Sequence, residues 1–424
     1  MQMNELARAA RQASYTLSSL PEEKRNAALK GIQDALIRYF PQIDQQNQRD
    51  VQAAEEEKLA GPLLKRLRFD EKKLNGVISG IDSLIALPDP LGKTTLAREL
   101  TPGLNLYRIS CPIGVIGVIF ESRPDALVQI ATLCLKSGNA VLLKGGREAL
   151  GTNRLLMEAM LEGAKEFLPD GWAALLETRD DVKEMLGQDK WIDLIIPRGS
   201  NAFVRYIMDN TRIPVMGHAE GLCHTYVDAS ADIDEAVKVT VDAKTQALAV
   251  CNATETLLVH RDIAPAFLPP CAEALRAKGV KLLGDAETQR IIACEPASDA
   301  DWETEYLDAI LSIKAVSSID EAIAHINRYG SHHTDAILSR DEAAQRKFLA
   351  GVDSAGVYVN CSTRFADGYR YGFGAEVGIS TGKLHARGPV GLEGLCTYKY
   401  HLIGSGQTVG EAEAGVFRYT HRDL

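Results

Sequence analysis

The residue best placed for chemistry in this 424-residue sequence is Cys251. It follows Ala247-Leu-Ala-Val and precedes Asn252-Ala-Thr-Glu255, where a helical pattern gives way to an extended one. A thiol at such a junction can meet a substrate, and it becomes a nucleophile once a cation or a helix N-terminus favours its thiolate. Cys134 falls on the apolar side of a helical pattern, where a thiol simply packs. Cys223 stands beside His224, but neighbours in an extended segment point to opposite faces, which argues against a dyad. The histidines His332 and His333 lack HxxxH spacing and cysteine partners, so no metal site is expected. Two further stretches offer backbone N–H groups near a helix start, where a phosphate is favoured: Lys144-Gly-Gly-Arg147 and Arg198-Gly199-Ser200. Neither GxGxxG nor a Walker A motif occurs, so an ordinary dinucleotide fingerprint is absent.

These residues need a framework, and the apolar periodicity supplies one. Residues 1–90 read as helical, with apolar positions at three- and four-residue spacing such as Leu29, Ile32, Leu36 and Tyr39. After Pro88 and Pro90 an extended stretch leads into a strand over 115–120. Strand and helix then alternate: a helix over 125–136 with Pro124 in its first turn, a strand over 140–144, a helix over 152–167, a strand over 191–197 and a helix over 201–209. A second run begins near Tyr226, with a helix over 232–250, a strand over 256–259 and a helix over 263–277. It continues with strands over 310–315, 334–339 and 356–360, separated by helices over 321–329 and 341–349. Such alternation implies α/β architecture with parallel sheets covered on both faces. Ligands of such sheets are expected beyond the carboxyl ends of the strands.

Composition narrows the function classes. Hydrophobic residues make up 46% and charged residues 25%, which suits a folded protein with a large core. The net charge of −10 argues against nucleic acid as the main partner. No apolar run approaches the ~18 residues needed to cross a bilayer, and residues 1–14 lack a secretory pattern. The eight cysteines are scattered without a CxxC pair, as in a reduced cytoplasmic enzyme.

The order of motifs then becomes informative. Cys111-Pro-Ile-Gly-Val, Ile119-Phe-Glu-Ser-Arg-Pro124, Leu142-Leu-Lys-Gly-Gly-Arg147, Pro197-Arg-Gly-Ser200, His218-Ala-Glu-Gly221 and Cys251 resemble the aldehyde dehydrogenase superfamily across nearly the whole chain. Asn327-Arg-Tyr-Gly-Ser-His-His-Thr-Asp-Ala-Ile337 resembles the signature of its γ-glutamyl phosphate reductase branch. The resemblance implies an aldehyde dehydrogenase-like fold. It has two Rossmann-like α/β domains, a cofactor-binding one over 1–98 and 114–226 and a catalytic one over 227–388. A small β oligomerisation element over 99–113 and 389–415 completes it.

It also implies the reaction: NADPH-dependent reduction of L-glutamate 5-phosphate to the semialdehyde in proline biosynthesis, through a thioester on Cys251. Asn252 and Ser122 would complete the catalytic set. Ser122, or as the alternative Arg123, would replace the Asn that donates to the oxyanion beside the Cys251 N–H. Lys144, Arg147, Gly199, Ser200 and Glu305 would bind the cofactor, with Glu305 on the nicotinamide ribose and Arg147 on a 2′-phosphate. Arg123 and Arg364 would bind substrate, with Arg370 a further available cation. A homo-oligomer and a functional link to glutamate 5-kinase are implied as well. His218 occupies the position of the superfamily's general-base Glu, and its identity suits a reductase that must spare its thioester from water. An oxidiser of a small aldehyde is the alternative enzyme; a Glu at 218 and an Asn at 122 would have favoured it. A non-catalytic dinucleotide-binding scaffold would need no reactive Cys251.

Overall fold

The computed structural model describes residues 2–121, 123–217, 220–374, 376–384 and 386–424. The chain forms two compact units. One comprises Met1–Met216, Phe373–Gly378 and Val390–Leu424, the other Gly217–Gly372 and Ile379–Pro389.

The first unit opens with the helices Met3–Leu17, Glu22–Glu56, Gly61–Leu67 and Glu71–Ala86. A four-stranded parallel sheet follows, in the order Ala173–Leu176, Ala140–Lys144, Val115–Ile119, Leu194–Pro197. Its two inner strands are fully buried and almost wholly apolar, as a sheet covered on both faces requires. The helices Pro124–Lys136 and Leu150–Ala164 follow those two strands, and Glu22–Glu56 packs along the latter helix. Arg25 is buried beneath them and donates to the Lys136 carbonyl and to Asp89, each at 2.5 Å.

A separate antiparallel sheet carries the hairpin Thr94–Thr101/Leu104–Pro112. Cys396–Ile403 lies on one side of the hairpin and Arg422–Asp423 on the other. The hairpin thus begins at Thr94, within residues that the sequence places in the cofactor-binding domain.

The second unit is a seven-stranded, all-parallel sheet. Its order is Glu295–Pro296, Lys281–Gly284, Ile310–Val316, Thr254–His260, Cys223–Val227, Thr334–Leu338, Gly356–Val359. The helices Ile233–Thr245 and Ala264–Ala277 bury one face around Phe267, Leu268 and Leu275. Ile319–Tyr329 and Glu342–Gly351 bury the other around Tyr226, Ile326 and Phe348. Among the described residues no helix is long and apolar enough to cross a membrane.

Candidate functional site

The helix Ile233–Thr245 stops five residues short of the expected end at Val250, and a tight loop carries Cys251 to the strand Thr254–His260. Every side of that loop is held. The Cys223 thiol donates to the Cys251 carbonyl at 3.2 Å. The Thr363 hydroxyl donates to the Asn252 carbonyl at 2.7 Å, and the Asn252 amide donates to the Ala366 carbonyl at 2.8 Å. Gly221 runs so close that a methyl on it would sit 2.5 Å from the Cα and Cβ of Cys251. Asn252 is buried and its amide nitrogen is committed to Ala366, so its side chain ties the loop to the Thr363–Phe365 turn.

That turn brings up Arg364. Its Nε donates to Gln246 at 2.9 Å, and its guanidinium interacts electrostatically with Cys251. Burial lowers the Arg364 pKa first, and the neighbouring Arg370 charge lowers it further. Arg370 donates to the Arg364 carbonyl at 2.6 Å. The Arg364 guanidinium therefore lies within electrostatic reach of the thiol, with Arg370 as its neighbour. These cations matter because the preceding helix points its C-terminus, the negative end of its dipole, toward this loop. A thiolate here must be favoured by cations rather than by a helix N-terminus.

Position in the sheet departs from the sequence expectation. Cys251 and Glu305 both lie in segments that enter strands, Thr254–His260 and Ile310–Val316, so they sit at the amino ends of this sheet. The carboxyl-end rule concerns turns that leave strands toward a helix N-terminus. A covalent nucleophile needs only a rigid loop.

The first unit keeps the rule. Lys144, Arg147, Gly199 and Ser200 lie where three neighbouring strands end, joined by the bonds Phe120 N–H to Lys144 carbonyl, 2.9 Å, and Arg198 N–H to Ile119 carbonyl, 2.7 Å. A side chain on Gly145 would run into the Asn153 amide and the Phe120 ring, so only glycine fits against these two side chains. The Lys144 ammonium is nearly buried and donates to the Gly145 carbonyl at 2.5 Å. Burial lowers its pKa, while Glu148 and Asp181 oppose that. Arg147 is 82% exposed and pairs with Glu57 at 2.7 Å. The Ser200 N–H donates to the Glu121 carboxylate. That acid already sits at the helix start where the sequence suggests a phosphate. Burial and then the nearby Glu148 raise the Glu121 pKa, against Arg66 and the Ser200 bond.

The competing cysteines are silent. Burial holds the Cys134 thiol far above its ordinary range. Cys223 is held there by burial and by Asp335, and its neighbour His224 turns its Nδ1 to Asp335 at 2.9 Å. His332 and His333 turn to the Asp353 carbonyl and the Thr334 hydroxyl.

The model of the aldehyde dehydrogenase family matches residues 1–294. The γ-glutamyl phosphate reductase of Pelotomaculum thermopropionicum is 60% identical, covering 100% of this chain and 98% of that protein. The chain belongs to the γ-glutamyl phosphate reductase family. Another relative, γ-glutamyl phosphate reductase 1 of Synechocystis, is 56% identical over 100% of this chain and 98% of its own length. The crystal structure of the Thermotoga maritima γ-glutamyl phosphate reductase superposes with a TM-score of 0.94 at 40% identity, covering 96% of this chain and 100% of that one. An acetylating aldehyde dehydrogenase from Geobacillus thermoglucosidasius, 17% identical, shares the fold with a TM-score of 0.64 and coverage of 96% and 97%. The aldehyde dehydrogenase-like fold read from the sequence is thus borne out.

For a γ-glutamyl phosphate reductase family member, two expected site residues, Ser122 and His218, lie outside the described residues. Arg123 stands at the start of the helix Pro124–Lys136 with its guanidinium 3.1 Å from Asp125, which also takes Lys73 at 2.9 Å. Burial would raise Asp125, and these two cations bring it below the usual carboxylate range. Glu305 lies in a partly exposed segment between the short turn Asp299–Glu303 and the strand Ile310–Val316.

Sequence reasoning passed over Gln246, Thr363 and the pair Lys244–Glu255. Only Glu255 had a readable signal. A carboxylate inside the buried run Thr254-Glu-Thr-Leu-Leu-Val259 demands a partner.

Proposed function

We propose that this chain reduces L-glutamate 5-phosphate to L-glutamate 5-semialdehyde with NADPH, releasing phosphate, as a step of proline biosynthesis. The carrying observation is Cys251, on a loop fixed from two neighbouring segments, in a chain 60% identical over its whole length to a γ-glutamyl phosphate reductase. The Cys251 thiolate attacks the acyl carbon. The carbon–oxygen bond to phosphate breaks, inorganic phosphate leaves and a thioester remains. Arg364 supplies positive charge within reach of the thiol, backed by Arg370, and suits the phosphate or the α-carboxylate of the substrate. Hydride addition converts the thioester to a thiohemiacetal, which collapses to the aldehyde and restores the thiolate. Members of the aldehyde dehydrogenase family use NAD(P). NADPH would supply the hydride; Lys144, Arg147 and the strand ends around Gly199 and Ser200 are the residues proposed to hold it, and Glu305 keeps the ribose role that the family resemblance implies. The Lys144 ammonium, held at the carboxyl end of a buried strand, supports that fit.

The reverse reaction tests this. Given glutamate semialdehyde and NADP, reduced cofactor should accumulate only when phosphate is added. Accumulation without phosphate would make the protein an aldehyde oxidiser instead.

Cofactor choice rests on Arg147. Its pair with Glu57 is exposed, and such pairs contribute only ~0–1 kcal/mol, so the guanidinium is free to turn to a phosphate. A charge-assisted contact of about 1.5–3 kcal/mol corresponds to roughly tenfold or more in affinity. Arg147→Glu should therefore cut the preference for NADPH over NADH by about tenfold and leave NADH turnover nearly unchanged. An unaltered cofactor ratio would remove Arg147 from the site.

Association is expected along the strand Cys396–Ile403. It pairs with the hairpin from Cys396↔Pro112 to Ile403↔Asn105 and is the terminal strand of its sheet. Tyr398, Tyr400 and Leu402 are more than half exposed on it. An unpaired apolar edge of this kind recruits another chain. Ending the chain before Gly394 should yield monomers or aggregate in sedimentation. A soluble oligomer of unchanged order would count against the edge. A homo-oligomer and a kinase that supplies the acyl phosphate complete the functional reading.

A further inference from the structure

We propose that the buried Lys244–Glu255 pair is a positioning device for the reaction, clasping the Cys251 loop and setting the Glu305 segment in register with it. Both side chains are completely buried, with Nζ 2.5 Å from Oε2. Lys244 closes the helix Ile233–Thr245 and Glu255 opens the strand Thr254–His260, so the pair ties together the two ends of the loop that carries Cys251. Two residues beyond Lys244, Gln246 holds the Arg364 guanidinium.

The other Glu255 oxygen reaches a third segment. It accepts the Leu307 N–H at 3.2 Å, two residues past Glu305. Leu307 has φ 53, a left-handed conformation that a branched side chain rarely adopts. Its side chain is 43% exposed, so packing does little to impose that turn. The backbone bond to Glu255 does. Tyr306 steadies the same stretch through Asp301 at 2.8 Å and Ser312 at 2.7 Å.

Stability alone is a poor reason for this pair. Apolar side chains of similar volume commonly replace a buried ion pair without loss of stability, because desolvation offsets the attraction. What such side chains cannot do is accept the Leu307 N–H. Burial drives the Glu255 pKa up to about 7, against the pull of Lys244 and the Leu307 bond, and Glu305 adds to the rise. Lys244 is lowered by burial, with Glu255 and Asp308 opposing. Cys223 and Tyr306 also feel the Glu255 charge.

The inference rests on the reading of Glu305 as a cofactor residue, and the test separates the two. The full-length double variant Lys244→Met with Glu255→Met should fold with an unchanged far-ultraviolet spectrum. It should bind NADPH at least tenfold more weakly in fluorescence titration, and amides over 304–309 should exchange faster in the cofactor-free protein. If the double variant does not fold, Glu255→Asp, which keeps the charge but withdraws it from Leu307, is read in the same way. Unchanged exchange over 304–309 overturns the proposal, and so does faster exchange with unaltered NADPH affinity where Glu305→Gln itself weakens NADPH binding. Glu305→Gln is the control. If it leaves NADPH affinity unchanged, the cofactor role of Glu305 fails, and the exchange measurement alone decides whether the pair sets the segment.

Discussion

Cys251→Ala is expected to lower phosphate-dependent reduction of NADP by glutamate semialdehyde by ~10⁴-fold or more, the scale of losing a covalent nucleophile. The fold should hardly notice. The bonds that fix this loop run through the Cys251 carbonyl, the Asn252 carbonyl and the Asn252 amide, and alanine keeps all of them. Cys251 is only partly buried, so removing its sulfur should cost no more than about 1 kcal/mol, or a few degrees in melting temperature. NADPH affinity should persist, because the residues assigned to the cofactor are elsewhere in the chain. Cys223→Ala is the matched control. Its thiol is buried and kept protonated, so turnover should survive with a modest loss of loop rigidity. Near-normal turnover in Cys251→Ala, or abolished turnover in Cys223→Ala with an intact fold, would reverse the assignment of the nucleophile.

The rhythm of strand and helix was legible because both sheets are buried on both faces, leaving short apolar runs that stand out from the amphipathic helices. The strand Ala140–Lys144 and the helix Asn201–Asp209 fall where the pattern puts them. Ala173–Leu176 and Lys281–Gly284, four residues each, escaped notice. The helix Ile233–Thr245 shows the other kind of failure. Ala247-Leu-Ala-Val has every local reason to continue it, yet the chain turns at Gln246. The cause is tertiary: Lys244 is drawn to Glu255, Gln246 to Arg364, and Cys251 must pass against Gly221. Cys251 was legible as a residue, by its junction and its motif. The residues that hold its loop, Gln246, Thr363 and Glu255, come from separate stretches and share no spacing that a sequence can display.

Gly221→Ala should produce the second large effect, although this residue carries no reactive group. The added methyl would lie 2.5 Å from the Cα and Cβ of Cys251 and nearer still to its carbonyl oxygen, a separation that real carbon atoms do not tolerate. One backbone must yield. Cys251 is pinned by the Cys223 thiol and, through Asn252, by Thr363 and Ala366. On the other side, the Leu222 N–H donates to the Ser331 hydroxyl at 2.8 Å, and the strand Cys223–Val227 begins at the next residue. Neither segment moves alone, so the strain is shared. Overpacking of this kind costs ~1–3 kcal/mol of stability. A nucleophile displaced by about 1 Å loses ~10²-fold in rate. The variant should therefore melt lower, keep its NADPH affinity, and lose about a hundredfold in kcat with slower alkylation of Cys251. Gly80→Ala gives the contrast. It lies in the helix Glu71–Ala86 with no atom within 4 Å of the new methyl, and it should be neutral or slightly stabilising. A Gly221→Ala protein with unimpaired kcat and alkylation would mean that the Cys251 loop yields freely, and that its rigidity is not what the reaction requires.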